Sequence, residues 1–272
     1  MSNVKGTTPA HGAPCWVNLM ARNLREAQSF YSDVMGWEFR DSSFGSNFSV
    51  ALAHGEPVAG IGCCADAGHP TAVWTPYFAV RNADETAGRI RERGATLAVG
   101  PLPLGDGRAG IAADRDGAVF GFWEGPASTW SVGRGSAPAR LDLKTRDAFA
   151  AAIFYAEVFD WAQPGGSCTV DYAHDHVLVQ SAGRTVATLH GQDPGTDPDP
   201  AVRPRWVVDF RVEDGKEAAA AAIMAGGDSV PTLSPIGGPR DTPSFVIRDR
   251  EGARFTVSGT RDRPRRPPRQ PT

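Results

Sequence analysis

Two histidines stand close together in the segment DYAHDHVLV, where metal binding or acid–base chemistry is the first use that their spacing suggests. His174 and His176 are two residues apart, so on a strand both side chains project from the same face. Two imidazoles on one face can ligate one metal ion or act as acid and base. Asp and His are equally typical of an exposed hairpin tip, and this alternative stays open. His54, in the segment AHGEP, has the same two interpretations.

Other catalytic signatures are weak. The sequence contains no nucleophile motif and no nucleotide fingerprint, and the Gly-rich stretch GDGRAG at 105–110 precedes a predicted strand rather than a helix, which indicates a loop. The four cysteines form no C-x-x-C pair and no metal-knuckle spacing, which favours a reduced, cytoplasmic protein. Asp142, Asp209 and His176 remain as candidate bases for a reaction without a metal.

The composition is that of a globular protein without a strong overall charge. The chain has 272 residues, of which 41% are hydrophobic and 22% are charged, and it is long enough for two domains. A net charge of −3 gives no basic field, so nucleic acid is not an expected partner. No apolar run approaches the roughly 18 residues that span a bilayer, so no membrane association is expected either.

The elements that would position these side chains occur twice in the chain. The segment WVNLMARNLREAQSFYSDVMGWEF at 16–39 matches RLDLKTRDAFAAAIFYAEVFDWAQ at 140–163, and each predicts a strand followed by an amphipathic helix. A second strand and helix follow in each half, and each of these helices is expected to end at a left-handed glycine. The charged turns DRDG at 114–117 and DREG at 249–252 then join two strands. The sequence therefore predicts two copies of one domain.

The predicted domains span residues 14–125 and 139–259. Residues 126–138 are interpreted as a linker between them. Residues 1–13 are expected to form a flexible N-terminus, and residues 260–272, rich in Arg and Pro, a disordered tail.

The repeated pattern resembles the vicinal oxygen chelate superfamily of glyoxalases, bleomycin-resistance proteins and ring-cleaving dioxygenases. Its most specific marks are SFYSDVMGW at 29–37 and the hairpin DRDG, where the family commonly has DPDG. The chain is similar in particular to tandem two-domain members from actinobacteria, some of which are accessory proteins of anthracycline pathways. The resemblance implies an α+β fold in which each domain pairs two βαβββ units into an open, curled sheet around a concave cavity.

Enzymes of this superfamily hold a divalent metal on the cavity face, and the resemblance locates the ligand positions in this chain. The residues at these positions are Trp16, Thr75, Gly121, Arg140, Val207 and Thr256. The fourth-strand segment VAGIGCC offers no carboxylate or imidazole, and His190 is the only imidazole near the second set. A divalent site needs at least three converging donors. Neither domain supplies them, so no metal and no other cofactor is expected.

Strand alternation predicts the lining of the first cavity, because successive side chains of a strand point to opposite faces. With Trp16 facing the cavity, Val17 and Leu19 lie under the helix. The residues predicted to line the cavity or bind a ligand are Trp16, Asn18, Met20, Thr75, Tyr77, Gly121 and Trp123, with Gly121 leaving a gap. Aromatic walls with few polar groups suit a planar, apolar ligand. A filled core without a ligand is the alternative.

The same alternation gives the second cavity a charged lining. Its predicted members are Arg140, Asp142, Lys144, Asp209, Arg211, Arg254, Thr256 and Ser258. So many charges cannot be buried without pairing. A salt-bridged plug, a solvated face, a contact surface and a site for an anionic or hydroxylated ligand all remain open.

Three functions follow as hypotheses. The first is a metal-free protein that binds an aromatic natural product and either sequesters it or presents it to a partner oxygenase. The second is a metal-independent cyclase, isomerase or hydroxylation auxiliary that uses Asp142, Asp209 or a histidine as base. The third is an interaction protein with no small ligand. The missing metal ligands favour the first, and the oligomeric state stays open.

Overall fold

The structure is a computed structural model that describes residues 9–42, 44–63, 72–127, 130–161, 163–191, 204–232 and 243–260. The first eight residues and the predicted tail from residue 261 lie outside these ranges. No helix in the described ranges is long and apolar enough to cross a membrane.

The first half of the chain forms one eight-stranded mixed sheet with two helices. Its elements are β1 (Pro14–Ala21), α1 (Leu24–Met35), β2 (Glu38–Ser42), β3 (Gly45–Ala53), β4 (Glu56–Cys63), β5 (Trp74–Ala79), α2 (Ala83–Glu92), β6 (Thr96–Leu104), β7 (Gly107–Ala113) and β8 (Val119–Glu124). The strand order is β2-β3-β4-β1-β5-β8-β7-β6. β1 is parallel to β4 and β5 is parallel to β8, while β1 and β5 are antiparallel. Two βαβββ units therefore join side by side through β1 and β5.

The second half repeats this arrangement. Its elements are β9 (Arg140–Thr145), α3 (Ala148–Phe159), β10 (Cys168–Tyr172), β11 (His176–Ser181), β12 (Arg184–Gly191), β13 (Arg205–Val212), α4 (Gly215–Met224), β14 (Asp228–Thr232), β15 (Ser244–Arg248) and β16 (Arg254–Gly259). The strand order β10-β11-β12-β9-β13-β16-β15-β14 matches that of the first sheet. The predicted α+β fold with two tandem domains is confirmed. Each sheet is completed within its own half of the chain.

Side-chain caps explain where the helices begin. The residues before the four helices named above are Asn23, Asn82, Asp147 and Asp214, and each side-chain oxygen accepts hydrogen bonds from two backbone N–H groups of the first turn. After α2 and α4 the chain passes through Gly94, with φ of 74°, and Gly226, with φ of 81°. These left-handed glycines confirm the predicted helix ends.

The two sheets meet through their convex faces at the central strands β5 and β13. The ring centroids of Phe78 and Trp206 are 5.4 Å apart, and those of Trp74 and Phe210 are 5.2 Å apart. Large aromatic side chains dominate such contacts because each buries a large apolar area. One continuous core thus joins the two domains, and the opposite face of the first sheet is left to line a cavity.

Candidate functional site

The concave face of the first sheet encloses a cavity of about 230 Å³. The residues that line it are Cys15, Trp16, Asn18, Phe44, Phe48, Tyr77, Leu104, Ala109, Trp123, Pro126 and Ala127. None of these side chains is a carboxylate, a cation or an imidazole. The cavity is therefore apolar and aromatic, with one amide in its wall.

Strand register brings the predicted aromatic residues together. Trp16 on β1 stands opposite Tyr77 on β5, and Tyr77 in turn pairs with Gly121 on β8. Val17 and Leu19 are fully buried on the other face, as alternation along β1 predicts. Four of the seven predicted residues, namely Trp16, Asn18, Tyr77 and Trp123, lie in the cavity wall.

The cavity wall does not include Met20, Thr75 or Gly121. Met20 lies beside Asn18, whose Nδ2 donates a hydrogen bond of 3.2 Å to its sulfur atom. Thr75 is 8% exposed and stands opposite Asn18 in the sheet. The expectation that Gly121 leaves a gap is wrong, because the Tyr77 ring occupies the space into which a side chain at position 121 would extend.

Two phenylalanines that strand alternation did not predict also line the cavity. Phe44 and Phe48 come from the turn before β3 and from β3 itself, and their ring centroids are 5.5 Å apart. Phe44 packs against Gly105, in the turn between β6 and β7 at the opposite edge of the sheet. Contact between the two edges shows how far the sheet is curled. Two aromatic residues in the otherwise polar run DSSFGSNFS were the signal that could have found them.

Residues of the predicted linker complete one side of the site. Trp123 Nε1 donates to the carbonyl oxygen of Pro126 over 3.1 Å, and Pro126 itself lines the cavity. Trp130 lies against Trp16, with ring centroids 5.9 Å apart, and its Nε1 donates to the Val58 carbonyl over 2.8 Å. This part of the chain therefore packs along the first sheet.

The polar groups of the cavity are neutral at physiological pH. Burial raises the pKa of the Cys15 thiol to about 12 and that of the Tyr77 phenol to about 12. The Asn18 side chain is 6% exposed, and its Oδ1 has no hydrogen-bond partner among the described residues. Asn18 is therefore the buried polar group that a ligand could engage.

At the ligand positions that the resemblance implies, the described residues of the first domain do not fit a divalent metal. In the first domain, Trp16, Thr75 and Gly121 occupy the expected ligand positions, and Gly60 on β4 pairs with Asn18. In the described part of the chain, no group of three or more His, Cys, Asp or Glu side chains is placed to share an ion. Indole, glycine and a single hydroxyl cannot replace the nitrogen and oxygen donors that such sites use.

On the concave face of the second sheet, two of the predicted charged residues form a close ion pair. Arg140 Nη2 lies 2.8 Å from Asp209 Oδ2, and the Ser258 hydroxyl donates to Asp209 Oδ1 over 2.8 Å. Asp209 is completely buried, and this burial raises its pKa despite the Arg140 charge. The arrangement supports the salt-bridged plug and leaves Asp209 enclosed rather than open to a substrate.

The histidines of the second domain lie on neighbouring strands. His190 Nε2 is 3.3 Å from Asp142 Oδ1, and the His176 and His190 rings are 6.0 Å apart. His174 is exposed before β11, while His54 lies in the turn between β3 and β4 with φ of 53°. His174 thus lies outside the strand that carries His176, and the ring nearest to His176 in the described structure is that of His190.

Residues 15–122 match the Glyoxalase/Bleomycin resistance protein/Dioxygenase superfamily, and residues 140–258 match the family described as Glyoxalase-like domain. The chain carries two tandem glyoxalase-superfamily domains.

Relatives of the chain span both of these domains. DauV of Streptomyces sp. (strain C5), an anthracycline biosynthesis protein, is 28% identical over 280 residues, 93% of this chain and 95% of DauV. CFP32 of Mycobacterium bovis is 28% identical over 264 residues, 90% of this chain and 94% of CFP32.

A further relative, the anthracycline biosynthesis protein DnrV of Streptomyces peucetius, is 27% identical over 279 residues, which cover 93% of this chain and 95% of DnrV. Among solved structures, the Mn(II)-bound glyoxalase from Novosphingobium aromaticivorans has a TM-score of 0.58 at 14% identity, covering 92% of this chain and 82% of that one. Homoprotocatechuate 2,3-dioxygenase from Brevibacterium fuscum has a TM-score of 0.59 at 16% identity. The match covers 98% of this chain and 86% of the dioxygenase chain. Identity this low shows a shared fold alone.

Proposed function

We propose that the first domain binds a planar aromatic small molecule without a metal ion, in the biosynthesis of an aromatic polyketide antibiotic of the anthracycline type or in self-resistance to it. The observation that carries this proposal is the cavity of about 230 Å³ walled by Trp16, Tyr77 and Trp123. Aromatic rings gain most from contact with flat aromatic partners. The relatives DauV and DnrV, named as anthracycline biosynthesis proteins, support this class of ligand.

The size of the cavity bears on how such a ligand would sit. A cavity of about 230 Å³ is smaller than the roughly 300–1,000 Å³ of sites that enclose drug-sized ligands. Only one or two rings of a polycyclic molecule would be enclosed. The remainder would project past Phe44 and Leu104, which are 42% and 39% exposed. A protein that leaves part of its ligand accessible can sequester it or present it to a partner oxygenase.

A metal-independent enzyme is the second candidate, and one pair of residues in the second domain favours it. His190 Nε2 lies 3.3 Å from Asp142 Oδ1, and a carboxylate that orients an imidazole is a common arrangement for a general base. Asp209 is less suited to this role because Arg140 and Ser258 already engage its oxygens. His176 lies beside His190, with ring centroids 6.0 Å apart, and adds a second imidazole to this pair.

Calorimetric titration with 2-hydroxyanthraquinone in a chelator-containing buffer tests the proposal. We expect saturable binding that Trp16→Ala weakens and that Phe149→Ala leaves unchanged, because Phe149 is an exposed ring on α3 of the second domain. Binding that disappears in chelator would contradict the metal-free proposal. Chemical conversion of the compound, followed by chromatography, would favour the enzyme, and His190→Gln would then abolish it.

A further inference from the structure

We propose that the inner wall of the cavity recognises a hydroxyl group on the aromatic ligand, with Asn18 Oδ1 accepting its hydrogen and Trp16 Nε1 donating to its oxygen. This inference rests on the proposed function and narrows its ligand class to hydroxylated aromatic molecules. Three features of the first domain support it.

The first feature is the unpaired Asn18 oxygen. Asn18 is 6% exposed, and no described residue donates a hydrogen bond to its Oδ1. Its Nδ2 is directed to the Met20 sulfur over 3.2 Å, which orients the amide with the oxygen on the other side. A buried carbonyl without a donor is costly to the folded protein. A ligand that supplies the donor removes that cost, so the cavity discriminates in favour of such a ligand.

The second feature is the glycine beneath this oxygen. A Cβ atom at Gly60 would collide with Asn18 Oδ1 and with the ring tip of Phe48. The same Cβ position lies 3.1 Å from Trp16 Nε1. The absence of a side chain at Gly60 therefore lets an acceptor and an indole donor approach each other at the wall. A hydroxyl group can both donate and accept, and it matches this pair. An ether or an unsubstituted ring does not.

The third feature is the contrast with the second domain, which serves as an internal comparison. Asn18 pairs with Gly60 in the first sheet, and Asp142 pairs with Thr188 in the second. Two residues further along β12, where β4 of the first sheet has Gly62, His190 Nε2 lies 3.3 Å from Asp142 Oδ1. The Asp142 oxygen of the second domain thus has a protein partner, whereas the Asn18 oxygen of the first domain has none among the described residues.

Entry of the hydroxyl group involves Phe48. Its ring tip lies beside Asn18 Oδ1, and the ring is partly exposed where it contacts Phe44 at the cavity mouth. For a ligand to reach the oxygen, the Phe48 ring would have to turn aside, and it would then pack on the ligand. Phe48 is in this way a positioning residue, while Asn18 makes the polar contact.

Equilibrium dialysis with 2-naphthol, 2-methoxynaphthalene and naphthalene tests the inference on the full chain. We expect 2-naphthol to bind roughly threefold to tenfold more tightly than 2-methoxynaphthalene, the effect of a neutral hydrogen bond. Asn18→Leu should equalise the two affinities while it retains binding of naphthalene. Thr188→Val, at the position in the second domain that corresponds to Gly60, is the matched control and should keep the preference.

The outcomes separate the two proposals. Equal binding of the three compounds to the natural protein would overturn the hydroxyl inference alone. Absence of binding for all three would overturn the proposed function as well. A folded Asn18→Leu variant that retains the preference for 2-naphthol would overturn the role of Asn18. If this variant does not fold, the comparison of ligands on the natural protein still decides the question.

Discussion

Tyr155 of the second domain donates a hydrogen bond of 2.9 Å to Asp114 of the first, and Tyr31 of the first domain donates one of 3.0 Å to Asp249 of the second. Each tyrosine also accepts a hydrogen bond from an indole of its own domain, Trp206 for Tyr155 and Trp74 for Tyr31. The two carboxylates are the first residues of the DRDG and DREG turns. Each turn thus docks the helix of the other domain.

Each carboxylate also holds its own turn together. Asp114 Oδ1 accepts hydrogen bonds from the backbone N–H groups of Asp116 and Ala118, over 3.0 and 2.8 Å. One oxygen is therefore used within the hairpin and the other across the domain boundary. The repeated turn is explained by this double role, which the two domains perform for each other.

Removing one tyrosine hydroxyl should destabilise the whole chain. Tyr155→Phe leaves a buried carboxylate oxygen of Asp114 without its donor, and hydrogen bonds to charged groups contribute roughly 1.5–3 kcal/mol. We expect the free energy of unfolding, measured by urea denaturation, to fall by about that amount. Tyr172→Phe removes the hydroxyl of a 53% exposed tyrosine and should change little. Equal stability of the two variants would contradict the prediction.

The docking carboxylates should make stability depend on pH. Burial raises the pKa of Asp114 and of Asp249. Because the folded pKa exceeds the unfolded value of about 3.9, the protonated forms favour folding. This contribution is complete below the unfolded pKa and is lost as the pH rises through the folded pKa.

The double variant Asp114→Asn, Asp249→Asn lacks these titrations. We subtract the free energy of unfolding of the variant from that of the natural protein. This difference should increase as the pH falls from about 7 towards about 4. Urea denaturation at several pH values measures it. A difference that is constant with pH, or that shifts the other way, would contradict the assigned direction.

The aromatic walls should carry most of the affinity for a ligand. Trp16→Ala and Trp123→Ala should each weaken binding of 2-hydroxyanthraquinone by roughly 1–3 kcal/mol, the scale for removal of a buried aromatic surface. Calorimetry measures the change. Phe149→Ala, which removes a 42% exposed ring from the second domain, is the control. Loss of binding in this control as well would show that the site lies elsewhere.

A larger residue at position 121 should affect both folding and binding. Since the Tyr77 ring covers Gly121, the side chain of Gly121→Leu would push this ring into the cavity. Overpacking of this kind costs roughly 1–3 kcal/mol of stability. We expect a lower melting temperature together with weaker binding of 2-hydroxyanthraquinone. Weaker binding at unchanged stability would instead show that position 121 is open to the cavity.

Strand periodicity explains which cavity residues could be predicted. Alternation holds within regular strands, and the four residues that it predicted and that line the cavity are Trp16, Asn18, Tyr77 and Trp123. It does not hold where the register between β1 and β5 shifts, between Pro14 and Trp16, and there Cys15 enters the wall. No local sequence pattern predicts such a shift in strand register.

Contacts between distant parts of the chain could not be predicted from the sequence. Phe44 reaches the cavity because the sheet curls until its two edges meet, and curvature is a property of the whole sheet. Tyr31 and Asp249 are 218 residues apart, so their hydrogen bond depends on how the two domains pack. The repeat predicted both residues as parts of a motif without indicating that they meet.

The purified protein should hold no stoichiometric divalent metal and should be indifferent to chelators. Trp16, Thr75 and Gly121 in the first domain provide one weak oxygen donor, and divalent sites require at least three converging donors. We expect elemental analysis to find no bound Zn, Ni, Fe or Mn, and added metal to leave the melting temperature unchanged. His190→Gln is the control for the second domain, whose histidine and carboxylate pair is the strongest donor group described there. The prediction would be contradicted if the natural protein held about one metal ion per chain and His190→Gln did not. The metal would then lie in the second domain.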